Sequence, residues 1–165
     1  MNQLYAEAGA KKKMDANSIA LRVLMGFGVL VGLFLFTLQG FYMVIGVAII
    51  AAVIFFFPRL NVEFEYVFVD GQIDFDRIAG KAKRKTILRV DMEQMEIIAP
   101  LGSHALDSYK NMQLETKDFS SGNIQNKPFV IIASVGERKY RIIFEPSEKM
   151  LSMMKQKNPR KISLV

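Results

Sequence analysis

The stretch that decides the reading is VLMGFGVLVGLFLFTLQGFYMVIGVAIIAAVIFFF, residues 23–57. It carries no charge, and from Ile19 to Phe57 the only charged residue is Arg22. As one helix, residues 19–57 would run about 58 Å, nearly twice a hydrocarbon core of roughly 30 Å. As two helices, residues 23–39 and 41–57, each rises about 25 Å, and Ile19, Ala20 and Leu21 can lengthen the first. Thr37-Leu38-Gln39-Gly40 is the one break, with a polar and a flexible residue where the chain must reverse. In hydrocarbon every backbone group must be bonded within its own segment, which two helices and a minimal turn achieve. A signal peptide does not fit: the apolar stretch is too long and no small-residue cleavage site follows it. Residues 19–58 are therefore expected to form a two-helix transmembrane hairpin, after an N-terminal segment 1–18.

Charge gives that hairpin a direction. Lys11, Lys12, Lys13 and Arg22 precede the first span, Arg59 follows the second, and the turn between them is uncharged. Positive residues stay on the cytoplasmic side, so the expectation is a multi-pass protein of the plasma membrane with both termini cytoplasmic. Arg22 lies close enough to a helix end to snorkel towards headgroups. Gly28 and Gly32 repeat at a four-residue interval in the first span, as do Ala48 and Ala52 in the second. Small residues at this spacing let helix backbones approach, so these four are the candidate packing positions.

The net charge of +6 divides evenly: five Lys and Arg oppose Glu7 and Asp15 up to Arg59, and seventeen oppose fourteen beyond it. So diffuse an excess is not the footprint of a nucleic-acid binder. The absence of cysteine excludes disulfides, thiolate metal sites, cysteine nucleophiles and palmitoyl anchors.

From Asn61 the hydrophobic period changes to two. Phe64, Tyr66 and Phe68 alternate with Glu63, Glu65 and Val67, a half-buried strand. Asp70-Gly71 is a strong two-residue hairpin signal, and the chain returns with Ile73 and Phe75 on its apolar face. Further strands are expected at residues 85–90, 93–99, 111–119, 128–135 and 138–145, the last two joined at Gly136-Glu137. Phe64, Tyr66, Ile73, Phe129, Ile131, Ile142 and Phe144 form the expected core. Pro146-Ser147 then opens a helix at about 147–157, with Met150, Leu151 and Met154 on one face, and Asn158-Pro159 ends it.

Seven strands closed by one helix, with Tyr66-x-Phe68-x-Asp70-Gly71-x-Ile73, a basic turn near Gly80 and a helix ending in Asn158-Pro159-Arg160, resemble the pleckstrin-homology-like (PH-like) superfold. The pattern looks like that of bacterial membrane-anchored domains of that superfold, which commonly place two membrane helices before the domain. The resemblance covers roughly residues 20–160. It implies a membrane α-helical hairpin plus a mainly-β domain at 61–165, a bent seven-stranded sheet or partial barrel capped by the C-terminal helix.

The densest charge is Lys81, Lys83, Arg84 and Lys85, with Arg89 beyond. In a strand connection beside an anionic leaflet each cation would contribute about 1 kcal/mol, so these five are the candidate contacts for anionic lipid or a partner. Phosphoinositide-binding members of the superfold use a basic strand loop; here the first strand turn is the bare Asp70-Gly71, and the cluster lies one loop later. Ser103, His104 and Asp107 are near neighbours in a stretch without strand pattern, which is not how a triad is assembled. With a single histidine and scattered carboxylates no metal site is expected, and Gly26, Gly28 and Gly32 lie inside the apolar run, where no nucleotide reaches. Ser120-Ser121-Gly122-Asn123 with Asn126-Lys127 reads as a flexible loop.

These readings point to a non-enzymatic, membrane-tethered interaction or scaffold module without a cofactor. Membrane lipids and an unidentified membrane protein, or a second copy of the chain, are its expected partners. The alternative is an accessory subunit of a larger membrane transport or secretion complex, contacting it through the helical hairpin.

Overall fold

The computed structural model describes residues 4–14, 16–80 and 83–163. The chain forms two compact units, one comprising Met1–Lys13, Glu63–Ile78 and Arg84–Val165, the other Met14–Val62 and Ala79–Lys83.

The second unit is the helical hairpin. Helices α1 (Ala16–Thr37) and α2 (Phe41–Phe56) are joined through Gly40, and a 3-10 turn, Phe57–Leu60, prolongs α2. Both spans are long and apolar enough to cross a bilayer. Only 6% of each span's residues are buried, whereas the core helix of a soluble domain would be mostly covered. The Thr37 hydroxyl donates to the Phe34 carbonyl at 2.7 Å, so the polar group at the turn is satisfied within its own helix.

The first unit has eight strands: β1 (Tyr5–Lys11), β2 (Val62–Val69), β3 (Gln72–Ala79), β4 (Lys83–Asp91), β5 (Met95–Pro100), β6 (Glu115–Asp118), β7 (Phe129–Val135) and β8 (Arg138–Phe144). They make two four-stranded sheets, in the orders β1-β2-β3-β4 and β5-β7-β8-β6. Pairing of β5 with β7 and of β7 with β8 is antiparallel, and of β6 with β8 parallel. No closed barrel is formed among the described residues. Eight strands in two sheets stand where seven in one bent sheet were expected, and the C-terminal helix is present as expected.

The additional strand is β1. The N-terminal segment, read as standing apart from the β domain, instead pairs antiparallel with β2 from Tyr5↔Val69 to Lys11↔Glu63 without a break. The hairpin α1–α2 is thus inserted into the connection between two neighbouring strands. Residues 111–119 also yield less strand than expected, only Glu115–Asp118.

The core lies between the sheets. Phe75 stacks on Phe119 with ring centroids 4.9 Å apart and meets Phe144 edge-on at 5.7 Å, while Tyr66 meets both Phe75 and Phe144 at 5.7 Å. All seven expected core residues are buried. Helix α3 (Glu148–Lys157) adds Met150 and Met154, both fully covered, and Ser147 caps it by accepting from the Met150 N–H at 3.2 Å.

Candidate functional site

The basic cluster lies where β3 turns into β4. Gly80, at φ 64°, donates its N–H to the Asn61 carbonyl at 3.1 Å. A Cβ there would stand 3.1 Å from the Pro58 carbonyl oxygen, so this turn requires glycine on both counts. Lys81 lies outside the described residues. Lys83, Arg84 and Lys85 are not in a loop, as their reading had it, but open strand β4.

Their side chains divide into two kinds. Arg84 is a clamp: its Nη2 lies 2.6 Å from Glu65 Oε2 and its Nε donates to Asp76 Oδ2 at 2.7 Å, so one guanidinium links β2, β3 and β4. The hydrogen bond to Asp76 and the charge of Glu65 raise its pKa further above the ordinary guanidinium value. Asp76 is 6% exposed, and its Oδ1 is buried without a hydrogen-bond partner. A carboxylate so placed depends on the Arg84 guanidinium beside it. Arg89 grips Asp74 through both carboxylate oxygens at 2.6 Å, a bidentate fork. Lys83 and Lys85 are exposed. Of the four described cations, two are matched by carboxylates and two face solvent.

The candidate packing positions divide similarly. Gly32 and Gly46 are buried against each other: a Cβ on Gly46 would stand 2.5 Å from the Gly32 carbonyl oxygen, and one on Gly32 would stand 2.8 Å from Ile50 Cγ1. Gly28 faces Val53 at ordinary contact distance, 3.7 Å. Ala48 and Ala52 are exposed. Gly46, which sequence reading passed over, is the true partner of Gly32; its signal was being the sole glycine within the second span. Arg22 Nη2 donates to Asn61 Oδ1 at 2.8 Å, just past the turn that follows α2. Arg59 sits 4.0 Å above the Phe55 ring.

A sequence profile described as Bacterial PH-like domain (DUF6106) matches residues 2–164. The chain belongs to that family. The match begins ahead of β1, in keeping with a domain whose first strand precedes the hairpin. No curated protein and no solved structure matches the chain.

Elsewhere in this PH-like domain, Ser103 caps the 3-10 turn His104–Tyr109 by accepting from the Ala105 N–H at 3.2 Å. His104 is fully exposed, 3.2 Å from Asp107. Asp107 has its pKa lowered by Lys110 first and His104 second, an exposed ion-pair arrangement at a turn. An open groove of about 500 Å³ runs along β1 and β2 past Glu7, Gly9, Lys11, Glu63 and Glu65. Glu63 there meets Lys11 at 3.8 Å, and Glu65 is held by Arg84.

The loop between β6 and β7, read as flexible, is held by a network of side-chain hydrogen bonds. Ser121 donates to Glu145 Oε1 through its N–H at 2.8 Å and its hydroxyl at 2.5 Å. Asn126 Nδ2 reaches both Ser121 Oγ, at 3.1 Å, and Glu145 Oε2, at 3.0 Å. Ser120 folds back on Asp118 Oδ1 through N–H and hydroxyl, at 2.9 and 2.6 Å. The Tyr66 hydroxyl donates to the Phe119 carbonyl at 2.5 Å, and burial pushes its pKa well above the ordinary phenol value. Serines and asparagines signal a loop; they do not reveal that a glutamate 24 residues on will tie it down.

Proposed function

We propose that this chain is a non-enzymatic, membrane-tethered interaction module, a PH-like domain held at the cytoplasmic surface of the plasma membrane by a transmembrane hairpin. One observation carries the reading: the apolar hairpin interrupts a β-ladder. β1 ends at Lys11 and α1 begins at Ala16; the turn after α2 ends at Leu60 and β2 begins at Val62. Because β1 and β2 are paired, both helix ends must emerge on one side of a bilayer that the hairpin spans. Five residues or fewer separate helix from strand at each end, so the domain stays within the membrane's surface layer. That confinement raises its effective concentration towards other membrane-bound partners. Lys11, Lys12, Lys13 and Arg59 beside the helix ends, and the uncharged turn at Gln39-Gly40, support a cytoplasmic domain.

The ligand is better read as protein than as a specific lipid. Arg84 and Arg89 are matched by carboxylates, leaving Lys83 and Lys85, and Lys81 by sequence, for headgroups: enough for weak, salt-sensitive attraction. The accessory-subunit alternative would need a contact surface on the hairpin, and the exposed Ala48 and Ala52 do not by themselves select a partner.

Single-cysteine labelling tests the topology in a chain that has no native cysteine. A cysteine replacing Gln39 should react with an impermeant reagent from outside intact cells, and one replacing Ser163 only after lysis. The reverse pattern would overturn the orientation. For the ligand, replacing Lys83 and Lys85 by Gln should reduce any enrichment of anionic lipid around the purified protein by about twofold and leave a co-purifying protein in place; loss of that protein would move its binding site to the lysines.

A further inference from the structure

Ile124 stands out among the large hydrophobic side chains. It is 80% exposed, more than any such residue on the membrane helices, where Phe41 reaches 75%. In the β domain's other exposed cases the figure is lower, Met112 being 47% and Leu101 46%. Single exposed hydrophobic residues are ordinary and need no explanation by themselves. Two features remove this one from that class.

First, Ile124 is presented by a rigid support. It opens the 3-10 turn Ile124–Asn126, capped by Asn123, whose Oδ1 accepts from the Gln125 N–H at 3.2 Å. The turn closes on Lys127 at φ 49°, and the Ser121–Asn126–Glu145 network fixes its base. An apolar tip held in place by bonds made elsewhere loses little conformational freedom when it inserts into another phase. Second, the loop is tied to the chain just ahead of the membrane helix. The Lys13 N–H donates to the Ser121 carbonyl at 2.8 Å, and α1 begins three residues later, at most about 11 Å of extended chain. Lys12 and Lys13, both exposed, join Lys127 in supplying cations where anionic phosphates would lie.

We propose that the β6–β7 loop is a membrane-interface anchor, with Ile124 seated at the boundary of headgroups and acyl chains and Lys12, Lys13 and Lys127 among the phosphates. It rests on the reading that the hairpin spans a bilayer, and adds that the domain has a fixed face towards the leaflet. The basic start of β4 is not needed for it.

The absence of tryptophan makes the test direct, since Ile124→Trp creates the only one in the chain. The full-length protein would be placed in nanodiscs with and without lipid brominated near the headgroup end of the acyl chain. Val44→Trp, on the exposed side of α2, is the membrane reference, and Met112→Trp the reference for an exposed loop of the domain. The expected result is a blue-shifted emission from Ile124→Trp and several-fold stronger quenching than from Met112→Trp. Ile124→Cys carrying a polarity-sensitive dye should report the same environment, independently of tryptophan's own preference for interfaces. Quenching at Ile124→Trp no greater than at Met112→Trp, with Val44→Trp quenched, would overturn the anchor alone. An unquenched Val44→Trp would overturn the spanning hairpin and the anchor with it.

Discussion

The two units of this chain are packed by opposite means. In the β domain, contact is made by large side chains: Tyr66, Phe75, Phe119 and Phe144 meet ring to ring, with centroids 4.9 to 5.7 Å apart. In the hairpin, contact is made by the absence of side chains, Gly46 lying against the Gly32 carbonyl where no Cβ could fit. On the proposal that the hairpin spans a bilayer, the difference follows from the solvent around each unit. Water drives apolar area together at about 25 cal/mol per Å², so a large ring contributes more than a small one. Lipid supplies no such drive, and helices associate through close backbone approach and the dispersion contacts it permits. The same substitution should therefore have opposite consequences in the two units.

Truncation is the harsher test in the β domain. Phe75→Ala or Phe144→Ala should cost about 3–5 kcal/mol, enough to lose the cooperative unfolding transition followed by near-UV circular dichroism. Phe34→Ala, on the exposed side of α1, should leave that transition in place. Enlargement is the harsher test in the hairpin. Gly46→Leu should force the helices apart by an ångström or more, and a disulfide between cysteines replacing Gly28 and Val53 should then no longer form. Ala48→Leu, on an exposed face, should leave cross-linking unchanged. Equal sensitivity at Gly46 and Ala48 would mean that the crossing lies elsewhere.

A smaller effect comes from the one polar group that the aromatic core contains. Tyr66→Phe removes the donor to Phe119, at a cost of about 1–2 kcal/mol. It also changes the response to pH. Because the folded state holds the Tyr66 pKa above its unfolded value, the neutral phenol's contribution is complete below about pH 10 and lost as pH rises from there towards the folded value. The advantage of the native protein over Tyr66→Phe should therefore shrink by up to about 1.4 kcal/mol per pH unit above pH 10. A constant difference from pH 8 to 11 would place the hydroxyl in water.

What could be read from the sequence were the features that local chemistry dictates. Apolar run length places α1 and α2, alternation around Phe64-Glu65-Tyr66 places β2, Asp70-Gly71 turns the chain, and Ser147 caps α3. What escaped were features decided by distant partners. Tyr5-Ala6-Glu7-Ala8-Gly9-Ala10-Lys11 has no β-branched residue, and its alternating Ala6, Ala8 and Ala10 offer little apolar area; it is a strand because β2 pairs with it, and Ala6 and Ala10 are small enough to lie buried. Arg84 looked like a free cation because Glu65 and Asp76 reach it only once β2 and β3 are folded beside β4. Gly46 acquires its meaning from Gly32, across the turn.

The central claim is that the apolar hairpin is an insertion between paired strands, so that the β domain begins at Tyr5 and not at Asn61. The most direct measurement compares two soluble proteins. One joins residues 1–13 to 62–165 through a four-residue Gly/Ser turn, restoring β1 beside β2; the other is residues 61–165 alone. The joined protein should unfold cooperatively, show cross-strand nuclear Overhauser effects between Gly9 and Glu65, and exceed the shorter one by several kcal/mol in urea unfolding, as loss of a whole paired strand requires. Equal stability of the two, or a joined protein with no Gly9–Glu65 contact, would contradict the account and return residues 5–11 to a tail outside the domain.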